Sequence, residues 1–257
     1  MLRLAANLDW LWRELPLEAR FEAAREAGFH GVEGLFLWQQ PLTALCALSR
    51  DTALPVALMN APAGEWDRGE RGLAALPERD ADFRQSLHIA AEYAQALKCS
   101  RLHVMSGLRE NGLPFDAQYA LLISRLRQAC DYLSPFNIEV LIEPLNGEDM
   151  PGYFVDSFPL AEKIIHDTAR HNIGLQFDIY HCQKIHGNII NNIRRYQPIT
   201  QHYQIASVPG RNEPGSGELN DARILTLINN LDYQGWVGCE YTLSHSARNM
   251  DWITPYL

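Results

Sequence analysis

The sequence predicts a single-domain (β/α)8 TIM barrel, and three observations point to it. Short apolar runs bounded by Gly, Pro, Asn or Asp recur eight times. Amphipathic stretches separate them. The 257 residues divide into eight units of about 32 residues, the size of one βα unit in such a barrel. The strand-like runs are Arg3–Leu8, Gly31–Phe36, Leu54–Asn60, Arg101–Met105, Glu139–Glu143, Ile173–Asp178, His202–Ala206 and Val237–Tyr241. Their near-continuous apolar character suits strands buried on both faces of a parallel sheet.

The helical stretches follow in turn. Residues 16 to 28 carry Leu17, Phe21 and Ala24 on one face, with Pro16 at the start and Gly28 past the end. Pro41–Arg50 supplies a weaker second helix. After Arg79, the residues Phe83, Leu87, Ala90, Ala94 and Leu97 repeat at spacings of three and four. Asp116 reads as an N-cap for a helix that turns Tyr119, Leu122, Leu126, Ala129 and Leu133 inward. Ser157–His171, Gly187–Tyr196 and Asn220–Leu231 complete the set. A doubly wound open sheet shares this alternation, but the chain has no G-x-G-x-x-G after its first strand and no G-x-x-x-x-G-K. No linker or low-complexity tract divides residues 1–257.

Lys plus Arg number 22 against 31 Asp plus Glu, a formal charge of −9. That balance excludes a dedicated nucleic-acid binder, which needs a basic footprint. No apolar stretch approaches a membrane span, and Asn7 and Asp9 interrupt the N-terminus too early for a secretory leader. Five cysteines without a C-x-x-C pair read as reduced thiols. The expectation is a cytoplasmic enzyme or binding protein with neither nucleic-acid nor membrane partners. Its oligomeric state, monomer or homo-oligomer, stays open.

The informative residues end the last four strands. Glu143, Asp178, Gln204 and Glu240 each close an apolar or aromatic run, at gaps of 35, 26 and 36 residues. Strand C-termini converge on one face of a barrel, so the four side chains are expected at a common spot. At ~4 Å and an effective dielectric near 20, two carboxylates repel by about 4 kcal/mol. Either their pKa values rise or a cation sits among them. Two Glu, one Asp and an amide oxygen form a hard donor set suited to Mg²⁺ or Mn²⁺. Taken singly, each reads more readily as a polar strand terminus; their joint recurrence favours the metal site.

His181 follows Asp178 by three residues, either as a loop residue or as a substrate ligand on the same rim. Arg211, in the Gly/Pro-rich loop after strand seven, reads as a carboxylate clamp or as a solvated arginine. His103, at the end of strand four, either lines the pocket or is a satisfied interior histidine. Trp10, Trp12, Trp38 and Trp66 fall near early rim loops, as pocket walls or as packing residues. A G-x-S-x-G elbow and an H-E-x-x-H motif are both absent.

With these residues in view, the chain resembles the hydroxypyruvate isomerase family within the xylose-isomerase-like barrels. The resemblance runs nearly end to end. It rests on FHGVEGLF (29–36), APAGEW (61–66), LIEPLN (141–146), DMPGY (149–153), QFDIYH (176–181), EPGSGE (213–218) and YQGWVGCEY (233–241). It implies divalent-metal ligands at Glu143, Asp178, Gln204 and Glu240, with Glu143 and Glu240 exchanging the substrate proton. The expected substrate is a small anionic sugar acid, with hydroxypyruvate going to tartronate semialdehyde. A sister 2-oxotetronate isomerase and, further off, a sugar epimerase are the alternatives. A phosphodiesterase of damaged DNA is disfavoured by the acidic balance and by Gln204, which stands where a nitrogen ligand would be expected. The chain departs from the family at Thr242, the first residue of Thr242-Leu-Ser-His-Ser, where Lys-Pro is usual.

Overall fold

In the computed structural model, which describes residues 2–244 and 250–256, eight parallel strands close into a barrel in sequence order. They are β1 (Arg3–Asn7), β2 (Gly31–Gly34), β3 (Val56–Asn60), β4 (Arg101–His103), β5 (Glu139–Ile142), β6 (Ile173–Asp178), β7 (Thr200–Ile205) and β8 (Trp236–Cys239). Pairing of Arg3 with Trp236 through Ala6 with Cys239 closes the ring. The helices are α1 (Leu17–Glu26), α2 (Leu42–Thr52), α3 (Asp80–Leu97), α4 (Phe115–Leu133), α5 (Phe158–Thr168), α6 (Ile179–Ile185), α7 (Ile189–Tyr196) and α8 (Asp221–Asn229). Among the described residues, no helix is long and apolar enough to cross a membrane.

The helices bury one face each, as their periodicity predicts. Phe83, Leu87, Ala90, Ala94 and Leu97 of α3 are all buried, as are Leu122, Leu126, Ala129 and Leu133 of α4. Tyr119 is only half-buried, because its hydroxyl reaches outward to donate to Asp167 Oδ2 at 2.8 Å. Asp116 is not the N-cap of α4. The helix starts one residue earlier, at Phe115 after Pro114, so Asp116 lies in the first turn, where its charge suits the helix dipole.

Strand ends also differ from expectation. β5 and β8 stop one residue before Glu143 and Glu240, while β7 starts at Thr200, two residues early. Helix α6 is an addition. Asp178 ends β6 and its carboxylate accepts the Tyr180 N–H at 2.7 Å, capping the new helix. Ile179, Tyr180, His181 and Cys182 are all buried, so the first turn of this seven-residue helix shows no apolar–polar alternation for periodicity to reveal.

Side-chain alternation along the strands fills the barrel in layers. At the N-terminal end, Trp236 packs with Ala5 and Ala57. Gly31 makes room for it: a Cβ there would lie 2.9 Å from the indole ring and 2.8 Å from the Pro55 carbonyl. Above this plug the interior is polar rather than aliphatic. Asn7, Glu33, His103, Gln176, His202 and Gln204 are all buried. Buried polar groups are costly unless paired, so this layer marks where the fold is committed to chemistry.

Candidate active site

The pocket at the C-terminal mouth of the barrel is a small cavity of about 100 Å³, lined by Asn7, Glu143, His181, Gln204, Arg211 and Glu240 among others. Trp10 and Trp66 form part of its wall, with Leu145 and Met150. Trp12 and Trp38 instead pack against Phe29 and Phe36. The sequence-predicted residues thus share one cavity, apart from Asp178, whose carboxylate is buried beside it against Arg211.

Glu143, just beyond β5, accepts a hydrogen bond from Gln176 Nε2 at 2.9 Å, and His103 Nδ1 lies 3.6 Å away. Ligand atoms of Glu143, Asp178 and His181 all fall within 4.8 Å of one another. Gln204 and Glu240 meet on the other side: Gln204 Nε2 donates to Glu240 Oε2 at 2.6 Å, and Asn7 Nδ2 donates to the same oxygen at 3.1 Å. Gln204 Oε1 accepts from Gln176 Nε2 at 2.6 Å. One amide group, that of Gln176, therefore bridges the Glu143 and Gln204 oxygens.

Arg211 is buried, not solvated, with 12% of its side chain exposed. Its Nη2 donates to Glu240 Oε1 at 2.5 Å and lies 3.4 Å from Asp178 Oδ2. Its guanidinium stacks between Trp10 and Tyr180, 4.2 and 4.7 Å from their ring centres. The backbone holds it there in the left-handed region at φ 51°. The Arg211 N–H donates to Ser207 O, and its carbonyl accepts from the Thr242 N–H at 3.0 Å. Thr242, where the resemblance led one to look for lysine, thus acts through its backbone, and its side chain is exposed. Positions 245 and 246 of that departure lie outside the described residues.

Burial raises the pKa of Glu143 well above the usual carboxylate range, reinforced by Asp178 and Glu240 and opposed by Arg211. Burial likewise pushes Glu240 up to about 8 against the pull of Arg211. Asp178 rises by burial too, offset by Arg211 and by the Tyr180 and His181 N–H groups. Burial works against the charge on Arg211, but Glu240, Asp178 and Glu143 outweigh it and hold its pKa above the ordinary value.

Both histidines are neutral. Burial lowers His181 well below its usual value, and burial with the neighbouring His202 pushes His103 to about 3. His103 therefore lines the pocket as a buried neutral ring. For His181 the tautomer follows from its partners. The Asn146 N–H donates to Nδ1 at 3.1 Å. Asn146 Oδ1 is taken by the Glu148 and Asp149 N–H groups, which leaves its Nδ2 as a second donor 2.7 Å from Nδ1. The ring proton consequently sits on Nε2, 3.7 Å from Asp178 Oδ2. His181 offers the pocket an N–H rather than a lone pair, which suits a substrate oxygen and not a metal ion.

Residues that sequence reasoning missed are Asn7, Asn146, Gln176, His202 and Glu33. Glu33 is the penultimate residue of β2, as Gln204 is of β7, but it lies in the middle of the apolar run Gly31–Phe36, so the strand-end argument does not reach it.

Comparison with known proteins agrees with this geometry. The profile of the xylose isomerase-like TIM barrel family matches residues 21–256. The chain is 38% identical to hydroxypyruvate isomerase of Escherichia coli, with all of both chains covered. It is 40% identical to 2-oxo-tetronate isomerase of Cupriavidus necator, covering 100% of this chain and 99% of the relative. A crystal structure of an AP endonuclease, family 2, from Brucella melitensis superposes with a TM-score of 0.96 at 40% identity, covering 100% and 99% of the two chains. The chain belongs to the xylose isomerase-like TIM barrel family and, within it, to the hydroxypyruvate isomerases and their 2-oxo-tetronate isomerase relatives.

Proposed function

We propose that this protein is a divalent-cation-dependent isomerase of a small 2-oxo sugar acid, converting hydroxypyruvate to tartronate semialdehyde. One observation carries the reading: Glu143 and Glu240 line the same buried pocket, each with its carboxyl pKa raised. Such a group can both accept and return a proton near neutral pH.

The donor set fits a hard cation such as Mg²⁺ or Mn²⁺. Glu143, Asp178, Gln204 and Glu240 would hold it through oxygen, and buried carboxylates this close call for a counter-charge. When bound, the cation would stabilise negative charge developing on the two substrate oxygens.

The side chains do the rest. One of Glu143 and Glu240 takes a proton from the hydroxyl-bearing carbon and the other delivers one to the former carbonyl carbon, while the hydroxyl proton passes from its oxygen to the former carbonyl oxygen. His181 Nε2–H donates to a substrate oxygen. Arg211 releases Glu240 and pairs with the substrate carboxylate. Trp10, Trp66 and Met150 wall the cavity against water.

The same constellation serves a four-carbon 2-oxotetronate, the substrate named for the Cupriavidus relative. A nucleic-acid strand fits less well, because the pocket lining carries Arg211 against Glu143, Asp149 and Glu240. The test is turnover of hydroxypyruvate and of 2-oxotetronates, side by side, by EDTA-treated protein with and without added Mg²⁺ or Mn²⁺. Cation-restored isomerisation of either substrate supports the reading, and no turnover of either refutes it.

A further inference from the structure

Beneath the pocket lies a carboxylate that the proposed reaction does not use. Glu33 is fully buried, and its two oxygens meet three side chains. Oε1 accepts from Asn7 Nδ2 at 3.0 Å and from Gln204 Nε2 at 2.9 Å. Oε2 faces His202 Nε2 at 2.8 Å, which must donate to it. β8 is built to admit this group: a Cβ on Gly238 would run into both carboxylate oxygens of Glu33.

The consequence falls on Gln204. An amide has one oxygen and one NH2, so fixing one end fixes the other. Glu33 and Glu240 take both N–H bonds of Gln204 Nε2, which turns Oε1 toward Gln176 and the Glu143 side. We propose that Glu33 is a positioning residue that presents Gln204 Oε1 to the cation and makes position 204 an amide rather than a fourth carboxylate. A carboxylate at position 204 has no N–H to donate, and would set an oxygen where Gln204 Nε2 now donates to Glu33 Oε1 and Glu240 Oε2. The proposal rests on the cation reading above.

The test measures Mn²⁺ binding by titration calorimetry and by the Mn²⁺ electron paramagnetic resonance spectrum, with Tm in EDTA as a control for folding. Glu33→Met keeps the length of the side chain and removes every acceptor. It is expected to weaken Mn²⁺ binding about 10- to 100-fold, the range for losing a group that orients a metal ligand. Gln204→Glu is expected to lower Tm in EDTA. Adding Glu33→Gln to it is expected to restore Tm, because an amide at position 33 can donate where the carboxylate could not. This second pair decides the matter should Glu33→Met fail to fold. Unchanged Mn²⁺ affinity in Glu33→Met overturns the proposal, and so does a double variant no more stable than Gln204→Glu alone. Absence of Mn²⁺ binding by the wild-type protein overturns the cation reading and the proposal together, which separates the two failures.

Discussion

Arg211 Nη2 stands 2.5 Å from Glu240 Oε1, so among the described residues the one guanidinium in the pocket lining is held by a carboxylate proposed to transfer the proton. The pair explains how three acidic side chains coexist in so enclosed a space. On the proposed reaction Arg211 would have two roles: offsetting the carboxylates before substrate arrives, and pairing with the substrate carboxylate afterwards. Arg211→Met is expected to lower kcat/KM for an anionic substrate at least about 30-fold, since truncating one side of a buried charge pair costs about 2–5 kcal/mol. Steady-state kinetics on the sugar acid check this.

The raised carboxyl groups set a pH dependence. Glu240 titrates near 4.5 when unfolded and about 8 when folded. Between those values the folded state holds a proton that the unfolded state has lost, so the contribution of Glu240 to stability falls as pH rises and levels off above about 8. In EDTA, the Tm of the wild-type protein should decline across this window relative to Glu240→Gln. Adding Mg²⁺ or Mn²⁺ at about pH 7 should release protons, measurable by calorimetry in buffers of different ionisation enthalpy. A difference in Tm between wild type and Glu240→Gln that does not change with pH would contradict the assignment.

The ring tautomer of His181 makes a sharper distinction. Because Nδ1 accepts from Asn146, Nε2–H is available to donate, and on the proposed reaction His181→Phe should cost turnover without costing cation affinity. A loss of about 10²-fold in kcat/KM is expected, with the Mn²⁺ Kd unchanged. A parallel collapse of Mn²⁺ binding would show that His181 is a metal ligand instead.

Gly238 is expected to tolerate no side chain. The Glu33 carboxylate occupies the space a Cβ would need, so Gly238→Ala forces that buried group to shift and should destabilise the protein by about 1–3 kcal/mol in urea unfolding.

What was legible in the sequence follows a physical pattern. The barrel shows because parallel strands buried on both faces leave apolar runs, and α3 and α4 show because one face of each is wet. Helix α6 did not show, being short and buried through its first turn, and its start depends on the Asp178 cap rather than on composition. Glu143, Asp178, Gln204 and Glu240 were found from strand-end spacing. Asn7, Gln176 and His202 were not, because their importance lies in hydrogen bonds across strands far apart in sequence: Glu33 and His202 are 169 positions apart. The orientation of Gln204 and the tautomer of His181 are properties of those cross-strand partners, which no local pattern encodes.

The central claim is that Glu143 and Glu240 together move the substrate proton. Its most direct test is isomerisation by Glu143→Gln and Glu240→Gln in D2O, followed by proton NMR of the sugar acid in the presence of Mg²⁺ or Mn²⁺. Each variant is expected to keep its fold by circular dichroism and to lose turnover by at least about 10²–10⁴-fold relative to wild type, which should incorporate solvent deuterium or transfer the proton at full rate. Near-normal isomerisation by either variant would contradict the account.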